Sequence, residues 1–192
     1  GSGGREHAIC YKLSQSKRIG RLICIPGNAG TEKIAENIDE NISDFEAVYK
    51  IIKRKEIDIV LVGPEQPLVD GIVNYLKKRS IKVFGPNQLA SQLEGSKSFM
   101  KEMCKKNNIP TAEYGVFENF NEAENFIKQI GIPIVVKADG LAAGKGVSIC
   151  KSIEEAKKKI IEILDGKFES SKKVVLEKFL KGEELSYFVI VD

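Results

Sequence analysis

The chain has 192 residues, 42% of them hydrophobic and 30% charged, which supplies a sizeable core and is unlike a disordered chain. Thirty basic and 27 acidic side chains leave a formal net charge of only +3, too balanced for a dedicated nucleic-acid or membrane-surface protein. The longest apolar runs, such as YFVIV at 187–191, fall far short of the ~20 residues of a membrane span. Four scattered cysteines (Cys10, Cys24, Cys104 and Cys150) make no CxxC pair and have a single histidine beside them, which sets aside a Cys/His zinc site and fits reduced thiols in the cytoplasm.

The chain opens on GSGGREHAI, a glycine-rich turn entering a helix without the strand that normally precedes one. It closes on LSYFVIVD (185–192), inside a strand-like run, so both ends read as cut. Between them, residues 21–25 (RLICI), 57–62 (IDIVLV) and 81–84 (IKVF) are buried-strand patterns, each followed by Gly or Pro. A helix with a Ser43/Glu46 capping box and Phe45, Val48 and Ile52 on one face separates the first two. Another, with Leu68, Ile72 and Leu76 on one face, separates the second and third. Strands and helices alternating over ~30 residues predict βαβ units and a parallel sheet. Ligands bind such sheets at the carboxyl ends of the strands, which here carry GSGG, PGNAG (26–30), GPEQP (63–67) and GPN (85–87).

After Pro86 the pattern changes. Two short helices cover 88–107, followed by a strand near Glu113–Phe117 and a helix with an Asn121/Glu124 capping box. A strand at Ile134–Ala138 leads through a glycine-rich hairpin to Val147–Cys150. A Ser152/Glu155 box then opens a helix, and strands are expected over Val174–Glu177 and Leu185–Val191. The fold class is α/β: a Rossmann-like parallel-sheet unit, then an α+β unit, with the boundary near residues 90–96 and the two domains set at 1–95 and 96–192.

Three loops can carry chemistry. GSGG matches only part of the dinucleotide fingerprint G-x-G-x-x-G, because the sixth position is Glu6, and no carboxylate follows the second strand. NAD is disfavoured, but a glycine turn at a helix N-terminus with Arg5 beside it can still take a phosphate. The plain alternative is a tight turn with His7 as an ordinary packed histidine. The loop ADGLAAGKG (138–146) is not a Walker A motif, since Gly140 and Gly144 enclose three residues and Gly146 follows Lys145. A lysine at the end of the apolar strand IPIVVK, Lys137, needs a partner, which a nucleotide phosphate would provide, or else snorkels to the surface. In LEKFLKGEELS (176–186), an apolar wall and strand backbone could read an adenine edge, with Glu184 on the ribose. Lys97, in EGSKSF, starts a helix.

Together GSGGREHA, PGNAGT, VGPEQPLVDGI, FGP, LEGSKSFMK, IPTAEY, VVKADGLAAGKGV and LEKFLKGEELS resemble the ATP-grasp superfamily across essentially the whole chain, most specifically its glycine-ligating purine-biosynthetic branch. The resemblance implies a pre-ATP-grasp domain at 1–95 and an incomplete ATP-grasp nucleotide-binding lobe at 96–192. Lys97 and Lys137 match the two phosphate-contacting lysines, and residues 139–146, with Asp139, Gly140, Gly144, Lys145 and Gly146, match the phosphate-covering loop. Glu177, Lys178, Phe179 and Leu180 match the adenine segment, with backbone at Lys178 and Leu180 on the base, and Glu184 matches the ribose carboxylate. Lys137 and Lys145 are the candidate catalytic residues. Gly3, Gly4, Arg5, Asn28, Gly30, Pro64 and Glu65 are the candidates for the second substrate.

The implied reaction joins glycine to 5-phosphoribosylamine at the expense of ATP, through glycyl phosphate, with Mg2+ or Mn2+. The implied partners are these small molecules, with no nucleic acid or membrane, in a cytoplasmic monomer. The metal and glycine ligands are expected beyond residue 192, so the chain by itself would be inactive. The alternatives are another ATP-grasp carboxylate–amine ligase or a biotin carboxylase, which the GSGGREH and LAAGKG segments disfavour, and a non-catalytic nucleotide-binding module.

Overall fold

The computed structural model describes residues 1–142, 144–168 and 172–190. They form two compact units, Gly1–Gly95 and Ser96–Asp192.

In the first unit α1 (Gly4–Ser14) leads to β1 (Ile23–Cys24), a 3-10 turn at Thr31–Lys33 and β2 (Glu36–Asn37). Then come α2 (Phe45–Arg54), β3 (Val60–Leu61), α3 (Glu65–Asp70), α4 (Ile72–Lys77), β4 (Val83–Phe84) and α5 (Gln88–Gly95). The strands are parallel, as the alternation predicts, but they pair as two couples rather than one ladder: β1 with β2 (Ile23 opposite Glu36) and β3 with β4 (Val60 opposite Val83). The helix expected around Leu68, Ile72 and Leu76 is broken at Gly71, whose φ of +96° ends α3 and starts α4. An L-residue rarely adopts that backbone, and a Cβ there would also sit 3.0 Å from the Gln88 side chain. At α2 the Ser43/Glu46 box does not form. Asp44 is the N-cap, its carboxylate accepting from the Ala47 N–H at 2.9 Å, a stronger acceptor for the helix dipole than a hydroxyl. The faces of α2 and α4 bury Val48, Ile52, Ile72, Val73 and Leu76 against Val60, Val62 and Val83.

The second unit runs α6 (Lys97–Lys106), β5 (Tyr114–Phe117), α7 (Phe120–Ile130), β6 (Ile134–Ala138), β7 (Val147–Cys150), α8 (Ile153–Leu164) and β8 (Val174–Lys178). The four strands make an antiparallel sheet in the order β5-β8-β6-β7. Asn119, not Asn121, caps α7, accepting from the Asn121 and Glu122 N–H groups. Ser152 caps α8 as its sequence predicts, accepting from the Glu155 N–H at 3.1 Å. Strand β6 alternates in burial: Ile134, Val136 and Ala138 are fully buried against α7 and α8, whereas Val135 and Lys137 face the other way. Burying each large aliphatic side chain here contributes ~1.5–3 kcal/mol, and the core continues through Ile127, Ile160, Val174 and Leu176.

The strand expected over Leu185–Val191 is not found over 185–190, where the side chains are exposed; residue 191 lies outside the described residues. A run of β-forming residues becomes a strand only where a neighbour takes its N–H and C=O groups, and none of the described strands pairs with it. Among the described residues no helix is long and apolar enough to cross a membrane.

Candidate functional site

Laterally paired residues in a sheet point to the same side. Lys137 is aligned with Val147 and Val175, Val135 with Ile149 and Glu177, and Tyr114 with Glu177. These residues therefore share the sheet face opposite α7 and α8. Val147 and Ile149 are 47% and 51% exposed, an open apolar surface next to a lysine.

The lysine that ends the apolar strand does have a partner. Lys137 Nζ lies 2.7 Å from Oε1 of Glu177, and Lys101 Nζ lies 2.9 Å from Oε2. The two ammonium groups thus take one oxygen each of the same carboxylate. Burial pushes the Glu177 carboxyl up, but the ammonium groups of Lys137 and Lys101 outweigh it and hold the group below the usual carboxylate range. Lys101 also donates to Thr111 Oγ1 at 2.6 Å and lies 5.5 Å from the centre of the Tyr114 ring. It is absent from the sequence-based candidates. The signal was a lysine between methionines in FMKEM, one helical turn after Lys97.

Lys97, the first residue of α6, donates to the Gly140 carbonyl at 2.7 Å, beside the end of β6. Asp139 holds that contact in place. Its carboxylate accepts from the Ser98 hydroxyl (2.6 Å), the Ser98 N–H (3.1 Å) and the Gly140 N–H (3.0 Å), and from Ser96, the cap of α6. Burial raises the Asp139 carboxyl, yet these donors together bring it below its ordinary value. Asp139 is thus directed at the start of α6 rather than outward from the turn.

The hairpin after Asp139 needs its glycines. Gly140 and Gly144 have φ of +84° and +76°, and a Cβ on Gly146 would lie 2.6 Å from that of Ala142. Ala143 lies outside the described residues. Lys145 is exposed and lines a cleft of about 490 Å³ with Ser148, Lys159, Glu162 and Lys167. Ser148 aligns with Val136, so this cleft opens on the helix side, and Lys145 does not join Lys97 and Lys137. Glu162 there is pulled down to about 2 by Lys167 and Lys159. In the segment after β8, the Lys178 N–H already donates to the Glu113 carbonyl at 2.9 Å. Phe179 is half-buried, Leu180 is 66% exposed, and Glu184 is exposed.

The first unit gathers its candidate loops at one corner. Gly3 caps α1 and Gly4 opens it, and the Glu6 carboxylate accepts from the Gly3 N–H at 2.7 Å. Asn28 donates to the Ser2 and Gly3 carbonyls at 2.9 and 3.2 Å and accepts from the Gly30 and Thr31 N–H groups. A Cβ on Gly30 would approach the ring of His7 to 2.9 Å, and His7 is exposed rather than packed. Arg5 donates to the Gly63 carbonyl at 2.9 Å and pairs with Glu65 at 2.7 Å, just after Pro64, the cap of α3. Their hydrogen bond raises the Arg5 pKa and lowers that of Glu65.

The open face of the second unit fits a nucleotide: an apolar surface for a base and lysines for phosphates. Metal ions are a different matter, because among the described residues no three His, Cys, Asp or Glu side chains come together to hold one.

Residues 1–94 match the family model for the phosphoribosylglycinamide synthetase N domain, and residues 95–192 match that for its ATP-grasp (A) domain. The chain is 48% identical to phosphoribosylamine–glycine ligases of Clostridium acetobutylicum and Brucella melitensis, over all of its own length and 47% and 45% of theirs. It thus spans about half the length of these curated relatives. Among solved structures, the phosphoribosylamine–glycine ligase of Thermotoga maritima superposes with a TM-score of 0.75 at 40% identity, covering 95% of this chain and 43% of that one. A biotin carboxylase domain from Hydrogenobacter thermophilus shares the fold at 22% identity and a TM-score of 0.69, over 92% and 42% of the two chains.

Proposed function

The chain belongs to the phosphoribosylglycinamide synthetase family, and on that premise we propose that the whole protein joins glycine to 5-phosphoribosylamine, forming glycinamide ribonucleotide, ADP and phosphate in purine biosynthesis. Residues 96–192 take ATP on the open sheet face, and residues 1–95 contribute to the phosphoribosylamine site. The observation that carries the reading is the sheet face on which Lys137 stands beside exposed Val147 and Ile149, with Lys97 held at the adjoining glycine turn.

The chemistry requires activation, because a carboxylate is a poor electrophile. Transfer of the γ-phosphoryl group of ATP to the glycine carboxylate gives glycyl phosphate. The amine of phosphoribosylamine then attacks the carbonyl carbon and phosphate leaves. The residues described here serve by position and charge. Lys97 and Lys137 set positive charge against the phosphates, and Lys145 joins them only if the hairpin folds toward the open face. The base lies on Val147 and Ile149, across β6 from the segment Glu177–Leu180. Since the Lys178 N–H is engaged with Glu113, its carbonyl, and the N–H of Leu180, are the backbone groups that read the adenine edge. Glu184 takes the ribose. In the first unit Gly3, Gly4, Arg5, Asn28, Gly30, Pro64 and Glu65 surround the second substrate. A divalent ion, Mg2+ or Mn2+, neutralises phosphoryl oxygens when bound. We place its ligands, and those of glycine, in the part of the family's length that these 192 residues do not span, so the chain by itself binds nucleotide without turnover.

The test is Lys137→Ala. Losing a charged contact to phosphate costs ~1.5–3 kcal/mol, roughly a 10- to 100-fold loss of ATP affinity by calorimetry, with unchanged circular dichroism. Unaltered affinity overturns the site. For the whole protein, ADP should form only when glycine and phosphoribosylamine are both present, and bicarbonate-dependent turnover would overturn the reaction.

A further inference from the structure

Lys101 is a buried cation that the reaction above does not use. Its side chain is 3% exposed, against 23% for Lys137. The groups facing it are the Glu177 carboxylate, the Thr111 hydroxyl and the Tyr114 ring. A buried lysine is costly unless its charge is compensated, and Glu177 provides that compensation. Yet Glu177 also touches Lys137, so one carboxylate is shared by two ammonium groups and the trio carries a net charge of +1. The exposure of the two lysines decides where that charge faces. Lys101 is enclosed and cannot reach a ligand, whereas Lys137 stands on the open face.

We propose that Lys101 is a positioning residue of the nucleotide site: by sharing the Glu177 carboxylate from the buried side, it leaves the ammonium of Lys137 only partly compensated and available to a phosphate. The proposal rests on the reading of this face as an ATP site. Without Lys101, Lys137 and Glu177 form a neutral pair, and phosphate must compete with a carboxylate for the lysine. With Lys101 in place, Glu177 gives up Lys137 without becoming an unpaired buried anion. Lys101 therefore acts on anionic ligands and not on the base, which is what separates this role from that of a simple brace between α6 and β8.

The experiment measures ATP and adenosine binding to the chain by calorimetry. Lys101→Met is expected to weaken ATP about tenfold, the effect of removing one nearby unit charge, while adenosine binding stays the same. Lys101→Arg, which keeps the charge, should bind ATP like the unmodified chain. In the Glu177→Gln background no carboxylate competes for Lys137, so adding Lys101→Met is expected to change ATP affinity far less than Lys101→Met does in the unmodified chain. If Lys101→Met alone does not fold, the comparison of Glu177→Gln with the double variant carries the test: similar ATP affinities support the proposal, and a tenfold loss on adding Lys101→Met overturns it. Equal losses for ATP and adenosine in Lys101→Met, with folding intact, mark a brace and overturn it as well. Lys137→Ala runs alongside. If that variant has no effect, the ATP reading fails and takes the proposal with it. If Lys137→Ala weakens ATP but Lys101→Met does not, the proposal alone fails.

Discussion

Asp139 offers the most direct test of how the second unit is held together. The carboxylate is 6% exposed and takes three close hydrogen bonds, from the Ser98 hydroxyl at 2.6 Å, the Gly140 N–H at 3.0 Å and the Ser98 N–H at 3.1 Å. Asp139→Asn keeps shape and polarity. The remaining oxygen can hold both N–H groups, and the amide nitrogen can donate to the Ser98 hydroxyl. What is lost is the charge. A hydrogen bond to an ion contributes ~1.5–3 kcal/mol and a neutral one ~0.5–1.5, so three bonds lose about 3 kcal/mol, of which relief from burying a charge returns about 1, for a net loss near 2. The folded-state pKa is depressed. The ionic contribution is therefore complete above the unfolded value of ~3.9 and disappears as pH falls through the lower folded value. Urea unfolding followed by hydrogen exchange of β6 and β8 amides isolates this unit from the first. The variant should be about 2 kcal/mol less stable at pH 7, with the gap closing below pH ~4. Equal stability at pH 7, or a gap that persists unchanged into acid, would refute the argument that charge at Asp139 ties α6 to the glycine turn.

Two further outcomes concern side chains away from the site. Ser152→Ala should destabilise the second unit by ~1 kcal/mol through loss of the α8 cap, read by the same exchange experiment, and Ser152→Asp should retain the stability. Burial pushes the thiols of Cys10 and Cys150 up to about 11, whereas Cys104 is only half-buried. Iodoacetamide at pH 8 should therefore modify Cys104 first in the folded chain and all four cysteines in urea, by mass spectrometry; Cys150 reacting as fast as Cys104 would contradict the burial.

Periodicity and punctuation made most of the elements legible in the sequence. The apolar run in IPIVVKA marked β6, and Ser152 with Glu155 marked the start of α8, because both signals are local. The misplaced caps were a matter of competition: Asp44 and Asn119 lie within two residues of Ser43 and Asn121, and a helix takes the acceptor whose geometry reaches its first N–H groups. The break at Gly71 was hidden because Leu68, Ile72 and Leu76 keep helical spacing across it. Lys101, marked only by its methionine neighbours, was missed for a deeper reason. A lysine in a helix is ordinarily solvated, and only the approach of Glu177, distant in sequence, makes this one a buried cation. Residue identity told which atoms were available at the glycine turns, and tertiary structure alone told which were already taken.

That last distinction separates the two glycine turns electrostatically. At the first, the one guanidinium, Arg5, is countered by Glu65, and the Gly3 N–H is occupied by the carboxylate of Glu6. An arriving phosphate must displace a carboxylate there or rely on oriented N–H groups for its hold. At the second, Lys97, Lys101 and Lys137 face Asp139 and Glu177, and both carboxylates are directed inward, onto the start of α6 and onto Lys101. The open side there carries the ammonium of Lys137. On the proposed function, a triphosphate, with several negative charges to neutralise at once, is assigned to the second turn, and a sugar bearing a single phosphate to the first, where its remaining groups would supply the binding that charge does not.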